Sequence, residues 1–487
     1  MNESNLWSLS ATELRHAYMK RTLSPVEVLE SYLGRITTLN PKVNAFYLLM
    51  EEKALLSAKE SEARWLKASP LGLLDGIPTA IKDGLFMSGI PIYRGSLANN
   101  AKSNIPTTNA PVVDRMIGSG AIILGKTTMC DYGMLASGYS SKFGPTRNPW
   151  NLDFNSGGSS SGSAAAVAAG MCPVAVGTDI VGSIRNPASF CGLYGHKPSF
   201  GRVPFYPQTS PAVCAGPISR SVEDMALLLN VISRPDSRDP SALPYHEIDY
   251  MEAIKGNVAG LKIGFMPDIG FGPAPDDEVL KLCCEAVKSF KKMGNQITEI
   301  KAPFSQEDIA KGENFYRTRA LAELSLLPPK VQANGKVINE WAQKAKDYSG
   351  VDHYRDYLGT QELRSRMFEV IKDYDLLMLP TVPIPPYMAE NPGLDDGDIF
   401  APWCNTFVFN LTQQPASSVP CGRTSAGLPV GLQIVGRPHD DVGVLRIAKA
   451  FENTETFKVT IPLDSVSYTH LRAHETVLDL VCRLLLE

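Results

Sequence analysis

Gly157-Gly158-Ser159-Ser160-Ser161-Gly162-Ser163-Ala164-Ala165-Ala166-Val167-Ala168-Ala169-Gly170 reads as a Gly/Ser loop opening a helix of small residues. The apolar run Val174-Ala175-Val176 follows, and after it a second loop, Gly177-Thr178-Asp179-Ile180-Val181-Gly182-Ser183-Ile184-Arg185-Asn186-Pro187-Ala188. Loop, helix, strand and loop in this order belong to an α/β arrangement, and the flanking sequence continues it. Between residues 73 and 220 short apolar runs such as Ala121-Ile122-Ile123-Leu124 alternate with Gly, Pro and Ser clusters, as buried strands do. Further on, helical spacing at Ser221–Val231 and Glu278–Lys292 alternates with strand-like runs at Leu261–Phe265, Leu376–Leu379 and Gly431–Val435.

Residues 9–67 carry apolar residues at helical spacing, and Ser24-Pro25-Val26-Glu27 offers a capping serine followed by a helix-opening proline. Residues 236–391, with prolines at 328–329 and a Pro-rich stretch at 380–386, read as a variable, mainly helical part facing the substrate. One domain over 1–464 is expected, with 465–487 as an atypical tail.

The chain has 487 residues, 44% apolar and 20% charged, which is an ordinary globular composition. Lys+Arg 47 against Asp+Glu 51 gives a net charge of -4 and no basic field of the kind that neutralises phosphates, so nucleic acid is not an expected partner. The start lacks the basic and apolar regions of a signal peptide, and no later run is apolar enough to span a bilayer. A soluble cytoplasmic protein is the expectation, with no membrane partner. Nine cysteines at scattered positions, without a C-x-x-C pair or zinc-finger spacing, read as reduced thiols, and no metal site is expected. The sequon Asn410-Leu411-Thr412 lacks a secretory context and reads as chance.

Three motifs compete for the chemistry. Gly120-Ala121-Ile122-Ile123-Leu124-Gly125-Lys126-Thr127 satisfies the P-loop pattern, but its four middle residues read as an apolar strand whose backbone is already hydrogen-bonded. Gly158 to Gly162 matches the G-x-S-x-G elbow, which needs a strand directly before it; the turn-rich residues 147–156 predict none. Ser289 to Lys292 matches Ser-x-x-Lys on a lysine-rich helical face that belongs to solvent.

The glycine- and serine-rich run and the loop after it resemble the amidase signature. Asp75-Gly76-Ile77-Pro78-Thr79-Ala80-Ile81-Lys82-Asp83 looks like that family's lysine segment, and Gly192-Leu193-Tyr194-Gly195-His196-Lys197-Pro198 and Gly427-Leu428-Pro429-Val430-Gly431 echo its later blocks. The resemblance runs from about Leu9 to Phe451 and implies a three-layer α/β/α fold around a large mixed sheet. It also implies a serine hydrolase cleaving a C–N bond, with Ser183 as nucleophile, Ser159 as proton-passing hydroxyl after a cis peptide, and Lys82 as base. Lysine is a base only when neutral, so its ordinary pKa of roughly 10.4 must fall on burial, which the apolar flank 77–81 could provide.

By the same resemblance the backbone N–H groups of Ile180, Val181, Gly182 and Ser183 form an oxyanion hole, and no cofactor is required. Val181 stands where the family commonly has glycine, and His196 where it often has an apolar residue; His196 reads as a satisfied core histidine. Asp179 and Arg185 are expected to pair and stiffen the turn. The apolar run around Trp403, Thr406 and Phe407 is the expected pocket wall and points to an uncharged amide, with carbamate or ester bonds beside it. The alternative is the glutaminase component of a tRNA-dependent amidotransferase, and a homodimer is left open.

Overall fold

The computed structural model describes residues 3–99, 104–454 and 456–463, so the tail from 465 lies outside the described residues. Thirteen strands follow one another along them: β1 (Phe46–Leu49), β2 (Pro78–Lys82), β3 (Ile122–Thr127), β4 (Arg147–Asn148), β5 (Asn151–Asn155), β6 (Val174–Asp179), β7 (Tyr194–Lys197), β8 (Cys214–Ser219), β9 (Lys262–Phe265), β10 (Gln296–Glu299), β11 (Leu376–Pro380), β12 (Ala416–Arg423) and β13 (Pro429–Gly436). All except β4 and β5 join one eleven-stranded sheet, in the order β1-β3-β2-β6-β8-β7-β12-β13-β11-β9-β10. The sheet is mixed: β2 runs parallel to β3 and β6, while β8, β7 and β12 run antiparallel to their neighbours.

Alternation along the strands builds the layers, because successive side chains leave opposite faces. Ile81, Val174, Val176, Leu376 and Met378 enter one apolar cluster, packed under the helices Val222–Ile232, Asp277–Lys292 and Asp441–Glu452. Ala80 and Ala175 point to the other face, against the helix Ser161–Ala168, and Leu377 and Leu379 against the helices Gln306–Ser325, Gly350–Ile371 and Cys404–Leu411. The result is the expected three-layer α/β/α fold.

Local sequence explains most boundaries. Ser10 and Ser24 each close a capping box, with Glu13 and Glu27, at the start of the helices Ala11–Met19 and Pro25–Val43. Strand β3 occupies the P-loop match, and the Lys126 ammonium is buried and donates to the Leu85 carbonyl instead of being offered to a phosphate. Two expectations need correction. Strand β5 does precede the G-x-S-x-G match, but it belongs to a two-stranded ribbon with β4 and not to the main sheet. Residues 236–391 hold one strand more than expected: besides β9 and β11, where strand-like runs are predicted, β10 lies there and pairs in parallel with β9 at the edge of the sheet.

Strands β3, β2 and β6 are parallel neighbours, so Thr127, Lys82 and Asp179 end at the same edge. In open α/β sheets the carboxyl ends of parallel strands are where loops gather functional groups.

Phe290, fully buried, stacks on Phe451 with ring centroids 4.9 Å apart and ties the helix Asp277–Lys292 to the helix Asp441–Glu452. Phe290→Ala is expected to cost about 3–5 kcal/mol in urea unfolding; a loss below about 1 kcal/mol would show that this layer does not pack as described.

Candidate active site

Strand β2 carries Lys82 to its last position, where no part of the side chain reaches solvent. The ammonium donates to Ser159 Oγ at 2.7 Å and to Thr178 Oγ1 at 2.8 Å. Its neighbour Asp83 turns away and accepts from Tyr47 Oη and from the amides of Tyr93 and Gly95, so the two do not form a surface pair. Burial pushes the Lys82 pKa down to about 7, against the opposing pull of the Cys130, Asp179 and Asp83 charges.

Ser159 follows a cis peptide bond from Gly158. A side chain at Gly158 would meet the Leu135 and Ser137 carbonyl oxygens at 2.3 Å, so this strand of loop passes where only glycine fits. Ser160 then links the two loops: its amide donates to the Ser183 carbonyl at 3.1 Å and its hydroxyl to the Thr178 carbonyl at 3.1 Å.

The turn from Asp179 to Arg185 is organised by one carboxylate. Asp179 accepts from Arg185 Nε at 3.0 Å and Nη2 at 2.9 Å, from the Gly182 amide at 2.7 Å and from the Ile184 amide at 3.1 Å. Burial alone would raise its pKa, but the Arg185 charge and hydrogen bonds, with Lys197 and Asn410 behind them, hold it well below the usual carboxylate range. The guanidinium, equally buried, spends its other donors on the Thr406 carbonyl, Gln433 Oε1 and Asn410 Oδ1. Asn410, whose sequon carries no weight, and Gln433 are therefore the distant parts of this knot, and no local pattern in the sequence announces them.

Of the four amides expected to face an oxyanion, that of Gly182 is already taken by Asp179, whereas those of Ile180, Val181 and Ser183 have no acceptor among the described residues. Val181 fits without strain because its φ is not positive; the position that requires glycine is Gly182, at φ 129°, where a Cβ would lie 2.0 Å from Thr406 Oγ1. The Ser183 hydroxyl is buried and has no hydrogen-bond partner among the described residues.

A cavity of about 180 Å³ opens on Ser159, Thr178 and Ile180. Phe86, Ile92, Tyr132, Phe205 and Tyr206 supply its apolar walls, and Arg94 and Arg319 its charges. Trp403, Thr406 and Phe407 do not line it. They lie fully buried behind the turn, where Thr406 Oγ1 donates to the Val181 carbonyl at 2.7 Å, Trp403 Nε1 to the Gly158 carbonyl at 3.3 Å, and the Phe407 ring packs on Phe400. His196 is remote from the cavity too, held between Ser417 Oγ at 2.8 Å and Asp441 Oδ1 at 3.2 Å. Among the described residues no cluster of His, Cys, Asp or Glu has the arrangement to hold a metal ion, and no helix is long and apolar enough to cross a membrane.

The sequence pattern that defines the family described as Amidase matches residues 27–445. The chain belongs to the amidase family. An acylamidase of Rhodococcus erythropolis is 35% identical over 96% of this chain and 99% of its own, and a glutamyl-tRNA(Gln) amidotransferase component from Geobacter metallireducens is 34% identical over 92% and 97%. Among solved structures, a bacterial aryl acylamidase of the amidase-signature enzymes superimposes with a TM-score of 0.87 at 31% identity, over 94% of this chain and 99% of that one. This amidase-signature chain is therefore an enzyme of a family that acts on amides, and likeness alone does not choose between the two kinds of relative.

Asp179→Ala is expected to destabilise the protein by about 3–5 kcal/mol, because it leaves Arg185 charged, buried and unpaired. The double variant with Arg185→Met should recover part of that loss in chemical denaturation; equal or additive losses would show that the ion pair is not the organising contact.

Proposed function

We propose that this amidase-signature enzyme is a serine hydrolase of linear amides, with Ser183 as nucleophile, Ser159 as the hydroxyl through which the proton moves and Lys82 as the base. Neutral Lys82 takes the Ser159 proton as Ser159 takes that of Ser183, and Ser183 Oγ attacks the amide carbonyl. The oxyanion forms near the amides of Ile180, Val181 and Ser183, and loss of one such donor costs about 2.7–4 kcal/mol in the transition state. On collapse the proton returns from Lys82 through Ser159 to the leaving nitrogen. Water then repeats the sequence on the acyl-enzyme and releases the acid.

One observation carries this reading: a fully buried lysine, with a pKa brought down to about 7, sits 2.7 Å from Ser159 Oγ. A base is most effective when its pKa lies near the working pH. The unpartnered Ser183 hydroxyl is consistent with it, since no hydrogen bond among the described residues has to break before that group can react.

The expected preference for an uncharged amide rested on the run around Trp403, which braces the turn from behind. The cavity's own aromatic walls now support an aryl or acyl body around the reacting bond. Carbamates and esters share the attack on the carbonyl. A glutaminase component of a tRNA-dependent amidotransferase is the second reading, favoured by the 34% likeness to a glutamyl-tRNA(Gln) amidotransferase chain.

Hydrolysis of a p-nitroanilide, an aryl carbamate, a primary amide and glutamine by wild type and Ser183→Ala tests these readings. Release of p-nitroaniline that falls by about 10⁴-fold or more in the variant is the expected result. Turnover of glutamine alone would favour the glutaminase, and an unimpaired variant would remove Ser183 from its role.

A further inference from the structure

The cavity that reaches Ser159 also contains a charge cluster that the proposed chemistry does not use. Arg319, on the helix Gln306–Ser325, and Arg94 share a single carboxylate, that of Glu323, at 3.0 Å and 2.5 Å. Both arginines line the cavity. The Arg94 guanidinium also lies 4.6 Å from the centre of the Tyr132 ring, itself part of the wall.

Arg319 is the less satisfied of the two. Its Nε is buried and has no hydrogen-bond partner among the described residues, and its Nη1 has only the weak sulfur acceptor of Met134 at 3.7 Å. Burial pushes its pKa down; Glu323 opposes that and the nearby Arg94 charge adds to it. Asp131, next to the cavity residue Tyr132, is occupied with the Ser141 amide and the hydroxyls of Ser96 and Ser141. Two cations therefore face one committed anion, and the cavity keeps an unanswered positive charge with a planar set of donors. A guanidinium of this kind is matched best by a carboxylate, which accepts two parallel N–H groups.

We propose that Arg319, supported by Arg94, binds a carboxylate carried by the substrate at a distance from the reacting bond, so that the preferred substrate is an amide of an aromatic or aliphatic body ending in a carboxylate. Glu323 already pairs with both arginines, so a substrate ammonium would have to compete with two guanidinium groups for it. A zwitterionic amide such as glutamine is consequently a poorer match than an anionic one. The inference rests on the serine-hydrolase reading for the position of the reacting bond, and deepens it by naming the charge on the substrate.

Two matched pairs of anilides test it: glutaric acid mono-p-nitroanilide against pentanoyl p-nitroanilide, and 4-acetamidobenzoate against acetanilide. They place the carboxylate on the acyl and on the amine side. Wild type is expected to favour the carboxylated member of at least one pair by about 10-fold or more in kcat/KM, as a charge-assisted bidentate contact allows. Arg319→Met should reduce that preference, read as the ratio of kcat/KM between the two members within the variant, to within about 2-fold, and Arg319→Lys should retain part of it. Equal rates within both pairs in wild type, or a preference that survives Arg319→Met, would overturn the proposal. Calorimetric binding of the first pair to Ser183→Ala separates this from the chemistry. Tighter binding of the glutaric anilide that Arg319→Met abolishes supports the subsite even if Ser183 is not the nucleophile, and equal binding refutes it even if Ser183 is.

Discussion

Removing an ammonium group from water is among the most expensive things a fold can do, and the position of Lys82 at the end of β2 commits the rest of the structure to it. A pKa brought from its ordinary value down to about 7 corresponds to a penalty on the charged form on the order of 5 kcal/mol. The group is kept in place by two hydroxyls, Ser159 and Thr178, not by a carboxylate, which would have restored the charged form. Asp83, adjacent in sequence, is drawn off by Tyr47 and two amides. The parallel pairing of β2 with β6 is what brings Lys82 and Thr178 to one edge, so the electrostatics of the site depend on the topology of the sheet.

The opposite arrangement stands beside it. Asp179 and Arg185 are buried as well, but fully paired and hydrogen-bonded, and the surrounding donors and acceptors come from Thr406, Asn410 and Gln433, far along the chain. Buried ion pairs of this kind add little net stability, and breaking one is costly. Their contribution here is geometric: one carboxylate takes the Gly182 amide and fixes the turn, in which the amides of Ile180, Val181 and Ser183 have no acceptor among the described residues. A lysine whose charge is disfavoured by burial on one side and a charged, fully paired couple on the other give adjacent strand ends different chemistry.

Much of this was legible in the sequence, and the reasons differ by element. The strands β3, β6, β11 and β13 could be read because they are buried on both faces and so appear as apolar runs; β1 could not, because it lies inside residues 9–67, whose spacing reads as helical, and β10 could not, because it is polar and mostly exposed at the sheet edge. Lys82, Ser159, Asp179, Ser183 and Arg185 lie in recognisable segments, and their identities could be named before their geometry was known. The cavity wall could not, since Phe86, Arg94, Tyr132, Phe205 and Arg319 come from separate loops and one helix and meet only after folding. The run from Trp403 to Phe407 shows the same limit from the other side: apolar residues near a site line it or support it with equal ease, and here they support it.

The central claim is that Lys82 works as a neutral base at ordinary pH, and the pH dependence of kcat/KM for a neutral anilide tests it most directly. The account predicts a rate that rises with pH through an apparent pKa of about 7 and then levels, as the buried ammonium loses its proton. A rate that is flat across that range, or that begins to rise only near the roughly 10.4 of an exposed lysine, would contradict it.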